Sequence, residues 1–369
     1  MGRLDDLLRA TREHGGSDLH LVSGIAPRIR RHGSLEPLEG EAALTPEALA
    51  GLLRESVGEE QWHEFEASGD LDFALSVPGV ARFRGNFLRQ EHGPSAVFRT
   101  IPEQIATLEE LGLPPVLGRL AELRSGLVLV TGPTGSGKST TLAAIIDRIN
   151  RTAARHIVTI EEPVEFVHRG RRSVFSQREV GTDTASFAGA LRAAIRQDAD
   201  VVLVGEMRDL ETIALALRAA EMGALVFGTL HTNSASKTID RLIDVFPADE
   251  QPQARLSLSE SLAAIVAQLL LPRADGSGRI AVHEILLKTP GLPNLIREGN
   301  IPMLINVMQA GRKDGMQLLD DALADLVERK LVSARDAYLK AQDKSRFEPL
   351  VEREQGVRRG AEGAGAASG

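Results

Sequence analysis

The sequence predicts an α/β protein in two parts: a small α+β domain, then a larger domain with a mostly parallel sheet and a helical C-terminal stretch. Three observations carry this expectation. Short runs before residue 102 alternate apolar and polar residues, Leu127 to Thr131 run as a buried strand through a glycine-dense turn into a helical pattern, and strand and helix patterns then alternate as far as Leu230.

In the first part, Leu4, Leu7 and Leu8 have helical spacing, and Ser17 to Val22 alternates like a half-buried strand. Pro27 to Gly33 reads as a second strand ending in a turn. Thr45 followed by Pro46 and Glu47 is an N-cap with proline at the first helical position, opening a helix through Leu49, Leu52 and Leu53. Two strands follow. Leu71, Phe73 and Leu75 share a face opposite Asp70 and Asp72, whereas Phe83 and Phe87 face inward and Arg82, Arg84 and Asn86 face away. Opposite charges therefore line two polar faces, which suits either a cross-strand Asp–Arg pair or an arginine that reaches a bound phosphate. Ala96 to Pro102 adds a strand containing Arg99. The expected boundaries are a first domain over 1–102, a linker over 103–123, a second domain over 124–354 and a disordered Gly/Ala-rich tail over 355–369.

The second part opens on Gly126 to Thr141. Gly132, Pro133, Thr134, Gly135, Ser136, Gly137, Lys138, Ser139 and Thr140 form a P-loop between a strand and a helix. Gly135 and Gly137 let successive N–H groups converge on phosphates, and the helix directs its positive end at them. Lys138 is expected to reach the β/γ-phosphates of ATP, and Ser139 to ligate Mg²⁺. Further strands end at Glu161, at Val204 before Gly205-Glu206, and at Leu230 before His231. Phe187, Leu191 and Ile195 mark one helix, Asp209 caps another that ends at Gly223, and Ile239, Leu242, Ile243 and Phe246 mark a third. Leu258, Leu262, Ile265, Val266 and Leu269 read as a further helical stripe. Arg279 to Leu287 reads as a strand, and the chain from Pro290 as helical.

Composition narrows the function classes. Of 369 residues, 43% are hydrophobic and 25% charged, as in an ordinary globular core. Cysteine is absent, which excludes disulfides, thiol catalysis and Cys-ligated metal. A net charge of −8, with one Trp and one Tyr, disfavours nucleic acid as a partner. The apolar runs, such as Leu225 to Leu230 and Ala263 to Leu271, are too short or interrupted for membrane insertion, and the residues after Met1 lack a signal core, so a cytoplasmic location is expected.

The carboxylates at strand ends fit the P-loop chemistry. An NTPase needs one acidic group on Mg²⁺ or its waters and another to orient the attacking water, so Glu206 is assigned to the metal and to catalysis, and Glu161 or Glu165 to the water. His231 is placed to sense the γ-phosphate.

Longer motifs resemble a known family. Ser17 to His20, Arg82 to Arg84, Val97 to Pro102, Gly126 to Thr141, Thr159 to Phe166, Gln177 to Val180, Val204 to Thr212 and Gly228 to Thr232 are similar to those of the bacterial type IV pilus retraction ATPases, the twitching-motility branch of the secretion ATPase superfamily. The resemblance spans Leu4 to about Tyr338. It implies a homo-hexameric ring in which a PAS-like N-terminal domain and a RecA-like P-loop ATPase domain move against each other as ATP turns over. It also implies a pilus platform protein of the inner membrane as partner, a related accessory ATPase as a second one, and a peripheral place on the cytoplasmic face. By resemblance Arg84 and Arg99 approach the nucleotide phosphates, Glu161, Glu162 and Glu165 form the acidic box, Glu206 is at Walker B, and His231 lies in the histidine box. Three departures stand out: Glu162 where the family has Asp, Ala224 where it has a second histidine, and Pro293 where it has arginine before Asn294 to Glu298. Extension and secretion ATPases of the same superfamily are the alternative, disfavoured by the missing cysteines; an accessory ring with weak hydrolysis is another, suggested by Ala224.

Overall fold

A computed structural model of the chain describes residues 2–31, 33–101 and 104–354, so the expected tail from 355 lies outside the described residues. The chain divides into two compact units. The first runs to Ile105 and takes in Glu161–His168 and Glu179–Gly181; the second holds Ala106–Ile160, Arg169–Arg178 and the described chain from Thr182 onward.

The first unit contains α1 (Arg3–Glu13), β1 (Asp18–Val22), β2 (Arg28–Arg31), β3 (Ser34–Pro37), α2 (Pro46–Arg54), α3 (Glu59–Ser68), β4 (Asp70–Val77), β5 (Ala81–Gln90) and β6 (Gly93–Ile101). Its sheet has the order β3-β2-β1-β6-β5-β4, with antiparallel pairs throughout. The expected cap is present: Thr45 accepts a hydrogen bond from Ala48 N at 3.2 Å. Alternation places Phe73, Phe83, Phe87 and Phe98 in one core, Phe73 and Phe87 edge to face at 4.7 Å between centroids. Sequence reading missed β3 and α3, because β3 is short and mostly exposed and α3 buries only Trp62 and Phe65.

The second unit contains α4 (Val116–Leu120), β7 (Gly126–Thr131), α5 (Lys138–Thr152), β8 (His156–Glu161) and β9 (Val174–Glu179) but for the last residue of each, α6 (Phe187–Ala194), β10 (Val201–Val204), α7 (Leu210–Glu221), β11 (Leu225–Leu230), α8 (Ala235–Asp244), α9 (Gln251–Ser261), β12 (Leu262–Pro272) and β13 (Arg279–Leu287). α10 (Leu292–Glu298), α11 (Leu304–Ala310), α12 (Leu319–Glu328) and α13 (Ala334–Lys340) follow. The sheet order is β13-β12-β7-β11-β10-β8-β9. Strands β12, β7, β11, β10 and β8 are mutually parallel and β13 is antiparallel. Every residue of β7, β10 and β11 is buried, as a sheet covered on both faces requires.

One expectation fails here. The stripe from Leu258 to Leu269 is the end of α9 followed by β12, not one helix. A run buried on both faces carries no decisive period, and pairing with β7 on one side and β13 on the other makes Leu262 onward a strand. Strand β9 was also missed, because its Val174, Ser176 and Arg178 lie on a polar edge.

Candidate functional site

The phosphate loop is shaped by its neighbours in the sheet. Gly132 N extends the β7–β11 ladder by donating to Leu230 O at 3.2 Å. Gly132 has φ +146°, and a Cβ there would come within 2.2 Å of the Gln268 carbonyl oxygen, so only glycine fits. Gly137, at φ +86°, precedes α5 and offers no side-chain cap, so the first turn of the helix presents N–H groups of the kind that bind anions. Lys138 lies folded over the loop, its Nζ donating to Gly132 O at 2.8 Å and Pro133 O at 3.2 Å. Thr134, Gly135 and Ser139 are exposed, whereas Ser136 is buried.

Glu206 and His231 meet at the carboxyl ends of adjacent strands, β10 and β11, and β11 lies between β10 and the P-loop strand β7. His231 Nε2 is 3.0 Å and Arg208 Nε 2.5 Å from the same Glu206 oxygen. The loop bearing Glu206 is pinned to β11: Met207 N donates to Thr229 O at 3.0 Å, and the Met207 sulfur occupies the space a Cβ on Gly228 would fill. Burial pushes the Glu206 carboxyl up, but the hydrogen bond and charge of Arg208, with His231, outweigh it and hold the group below its ordinary value. Glu206 is therefore an anion suited to a cation or to a protonated imidazole.

The acidic box belongs to the first unit: Glu161 ends β8, Glu162 is exposed, and Glu165 Oε1 lies 3.6 Å from Arg84 Nη1. Glu165 N also donates to Glu161 at 3.4 Å. Arg84 has a second acidic neighbour, Asp72, at 3.7 Å, so the cross-strand pair read from the sequence exists but is long. Arg84 and Arg99 are register partners on β5 and β6, and Arg99 in turn faces Asp18 on β1, with Arg99 Nε donating to Asp18 at 2.8 Å.

Ala224 precedes β11 and lies at its amino end, with the six residues of that strand between it and His231. That distance, about 20 Å along a strand, separates it from the phosphate edge. Pro293 falls in the first turn of α10, where its missing N–H costs no helical bond, and Leu292 and Ile296 are buried.

Sequence reading missed three residues. Glu179 accepts from Arg82 and from Val164 N, both at 3.0 Å; Arg208 pairs with Glu206; and Gln268 packs beneath the P-loop. The signal for Gln268 was a lone amide in an apolar run, and for Arg208 its position two residues beyond Glu206.

No helix among the described residues is long and apolar enough to cross a membrane. Residues 57–330 match the model of the Type II/IV secretion system protein family. The type IV pilus retractation ATPase PilT of Pseudomonas aeruginosa is 49% identical over 93% of this chain and 99% of its own. A twitching motility protein of Neisseria gonorrhoeae is 48% identical over 87% of this chain and 86% of its own. A crystal structure of the pilus retraction motor PilT with bound ADP superposes with a TM-score of 0.87 at 44% identity, covering 95% of this chain and 99% of that one.

Proposed function

The chain belongs to the Type II/IV secretion system protein family, and from that premise we propose that it is a ring-forming ATP hydrolase that drives retraction of a type IV pilus. The observation that carries this reading is the convergence of neighbouring parallel strands on one edge, where β7 leads into the P-loop, β11 into His231 and β10 into Glu206. Relatives named for pilus retraction and twitching motility are alike over nearly the whole length of the chain.

In this reading the N–H groups from Gly135 to Thr140 receive the phosphates, and Lys138 exchanges the carbonyls of Gly132 and Pro133 for β/γ-phosphate oxygens. Both of these acceptors are carbonyls of the loop itself. Ser139, exposed in the first turn of α5, and the ionised Glu206 fit Mg²⁺, which would supply neutralising charge on the phosphate oxygens. Glu161, Glu162 or Glu165 orients the attacking water, and His231 links Glu206 to the γ-phosphate. Arg84 and Arg99 stabilise charge developing on that phosphate once they release Asp72, Glu165 and Asp18.

The active form is a homo-hexamer on the cytoplasmic face of the inner membrane, working against a pilus platform protein and alongside a related accessory ATPase. Retraction is favoured over extension by the relatives named for retraction and twitching motility and by the segment Asn294 to Glu298, which keeps the motif of the retraction ATPases that the chain resembles. Weak hydrolysis loses its support, because Ala224 is at the strand end remote from the phosphate loop. Cells lacking the gene should carry surface pili yet fail to twitch, and the parent gene should restore movement. Loss of the pili themselves would assign the protein to extension.

A further inference from the structure

Gln268 stands on β12 one residue beyond the position paired with Thr131, the last residue of β7, and so lies directly under the turn that opens the P-loop. Its side chain is buried, as are those of Ser136, Thr141 and His283 around it. Gln268 Nε2 donates to the Ser136 carbonyl at 2.6 Å, while its Oε1 accepts from Thr141 Oγ1 at 2.8 Å and lies 3.1 Å from His283 Nε2. Both glycines that bound the turn are pressed by the same residue: a Cβ on residue 132 would strike its carbonyl oxygen, and one on residue 137 would come within 2.9 Å of its amide nitrogen.

The hydrogen-bond chemistry leaves one arrangement. Burial holds the His283 imidazole neutral, pushing its pKa down to about 4. The Ser136 carbonyl can only accept, so the NH₂ end of the amide faces it; Oε1 then accepts from the Thr141 hydroxyl, and the neutral His283 carries its proton on Nε2. In a planar trans peptide the C=O and the following N–H point in opposite directions. Holding the Ser136 carbonyl against the core therefore turns the Gly137 N–H outward, at the mouth of α5. Glycines on both sides of Ser136 would otherwise let that peptide unit rotate.

The geometry points to Gln268 as the nucleotide-positioning residue of the P-loop, aiming the Gly137 N–H at a bound phosphate, with Thr141 and His283 orienting its amide. This inference rests on the reading of the loop as a nucleotide site and adds to it a residue outside the motif. Gln268→Met removes every hydrogen bond at similar volume. Gln268→Glu sets a carboxylate against the Ser136 carbonyl, and protonation restores the missing donor.

The test measures binding of a fluorescent ADP to the assembled parent, Gln268→Met, Gln268→Glu and Thr141→Val proteins, with thermal unfolding and ring assembly recorded beside it. Gln268→Met is expected to weaken ADP about tenfold or more, and Thr141→Val about threefold. Gln268→Glu should bind poorly at about pH 8.5 and regain about tenfold at about pH 6, while the parent, whose amide does not titrate, changes far less. Parent-like affinity in folded Gln268 variants at both pH values would overturn the inference, and so would failure of both to fold together with parent-like affinity in Thr141→Val, which would assign the amide to the core alone. A parent protein that does not bind ADP would instead remove the nucleotide reading itself.

Discussion

Replacing Arg84 and Arg99 by alanine, one at a time, separates the two roles open to a row of charge in the first unit. The residues are cross-strand partners, and like charges so placed repel by a fraction of a kcal/mol unless acids neutralise them. Arg84 has Asp72 at 3.7 Å and Glu165 at 3.6 Å, beyond good hydrogen-bonding range and on partly exposed side chains, so those pairs contribute about 0–1 kcal/mol. Relief of the repulsion offsets part of that, and Arg84→Ala should alter stability by less than about 1 kcal/mol. Arg99 differs. It hydrogen-bonds Asp18, whose side chain is only 6% exposed. Burial pushes the Asp18 carboxyl up, but the Ser17 hydroxyl and Arg99 outweigh it and hold the group below its usual value. Stability from such a depressed group is present above the unfolded pKa and lost as pH falls through the folded one. Arg99→Ala should therefore cost about 1–2 kcal/mol at neutral pH and little in acid. If the guanidinium groups act on the γ-phosphate, turnover in both variants falls by up to about 10³ to 10⁵, far beyond the stability effect. Urea unfolding, light scattering of the ring and steady-state ATP turnover measure the three quantities. Assembled variants that both turn over ATP at the parent rate would refute the catalytic role and leave the arginines as partners of Asp72, Glu165 and Asp18.

Three further predictions follow from the geometry of the two units taken separately. Glu206→Gln keeps the shape that Arg208 and His231 contact but removes the charge, so ADP should still bind while turnover falls at least about a hundredfold; parent-like turnover would exclude the carboxylate from the reaction. Because the Glu206 pKa is held down, its ionised form persists to below the ordinary carboxylate range and is lost only as pH falls through the depressed value, so the parent should show no acid limb from this group above about pH 5. Gly85→Ala would place a Cβ 2.6 Å from the Phe73 ring, which is itself wedged edge-on against Phe87 and Phe98; a loss of about 1–3 kcal/mol in urea unfolding is expected, and an unchanged midpoint would mean the ring can move.

Local chemistry made the P-loop legible: the glycines, the strand before them and the helix after them are contiguous, so Gly132 to Thr140 were found without any tertiary knowledge. Period-two alternation likewise exposed Phe83 and Phe87 as core and Arg84 as outward-facing. What remained hidden depends on partners distant in sequence. Leu262 to Leu271 is a strand because β7 and β13 flank it, and nothing inside that run distinguishes it from a helix. Gln268 acquires its place under Ser136 only when β12 docks beside β7. The Arg99–Asp18 pairing joins strands eighty-one residues apart, so alternation could orient each side chain without showing that they meet.

The central claim is hydrolysis at the P-loop, and ATP turnover by the purified, assembled protein with and without Lys138→Ala tests it most directly. The ammonium donates to the Gly132 and Pro133 carbonyls of its own loop, and thermal unfolding and ring assembly of the variant are recorded beside turnover to separate loss of chemistry from loss of the fold. Ready turnover in the parent and its abolition in the variant are expected. Tight ATP binding without measurable turnover in the parent, or turnover undiminished by Lys138→Ala, would contradict that claim.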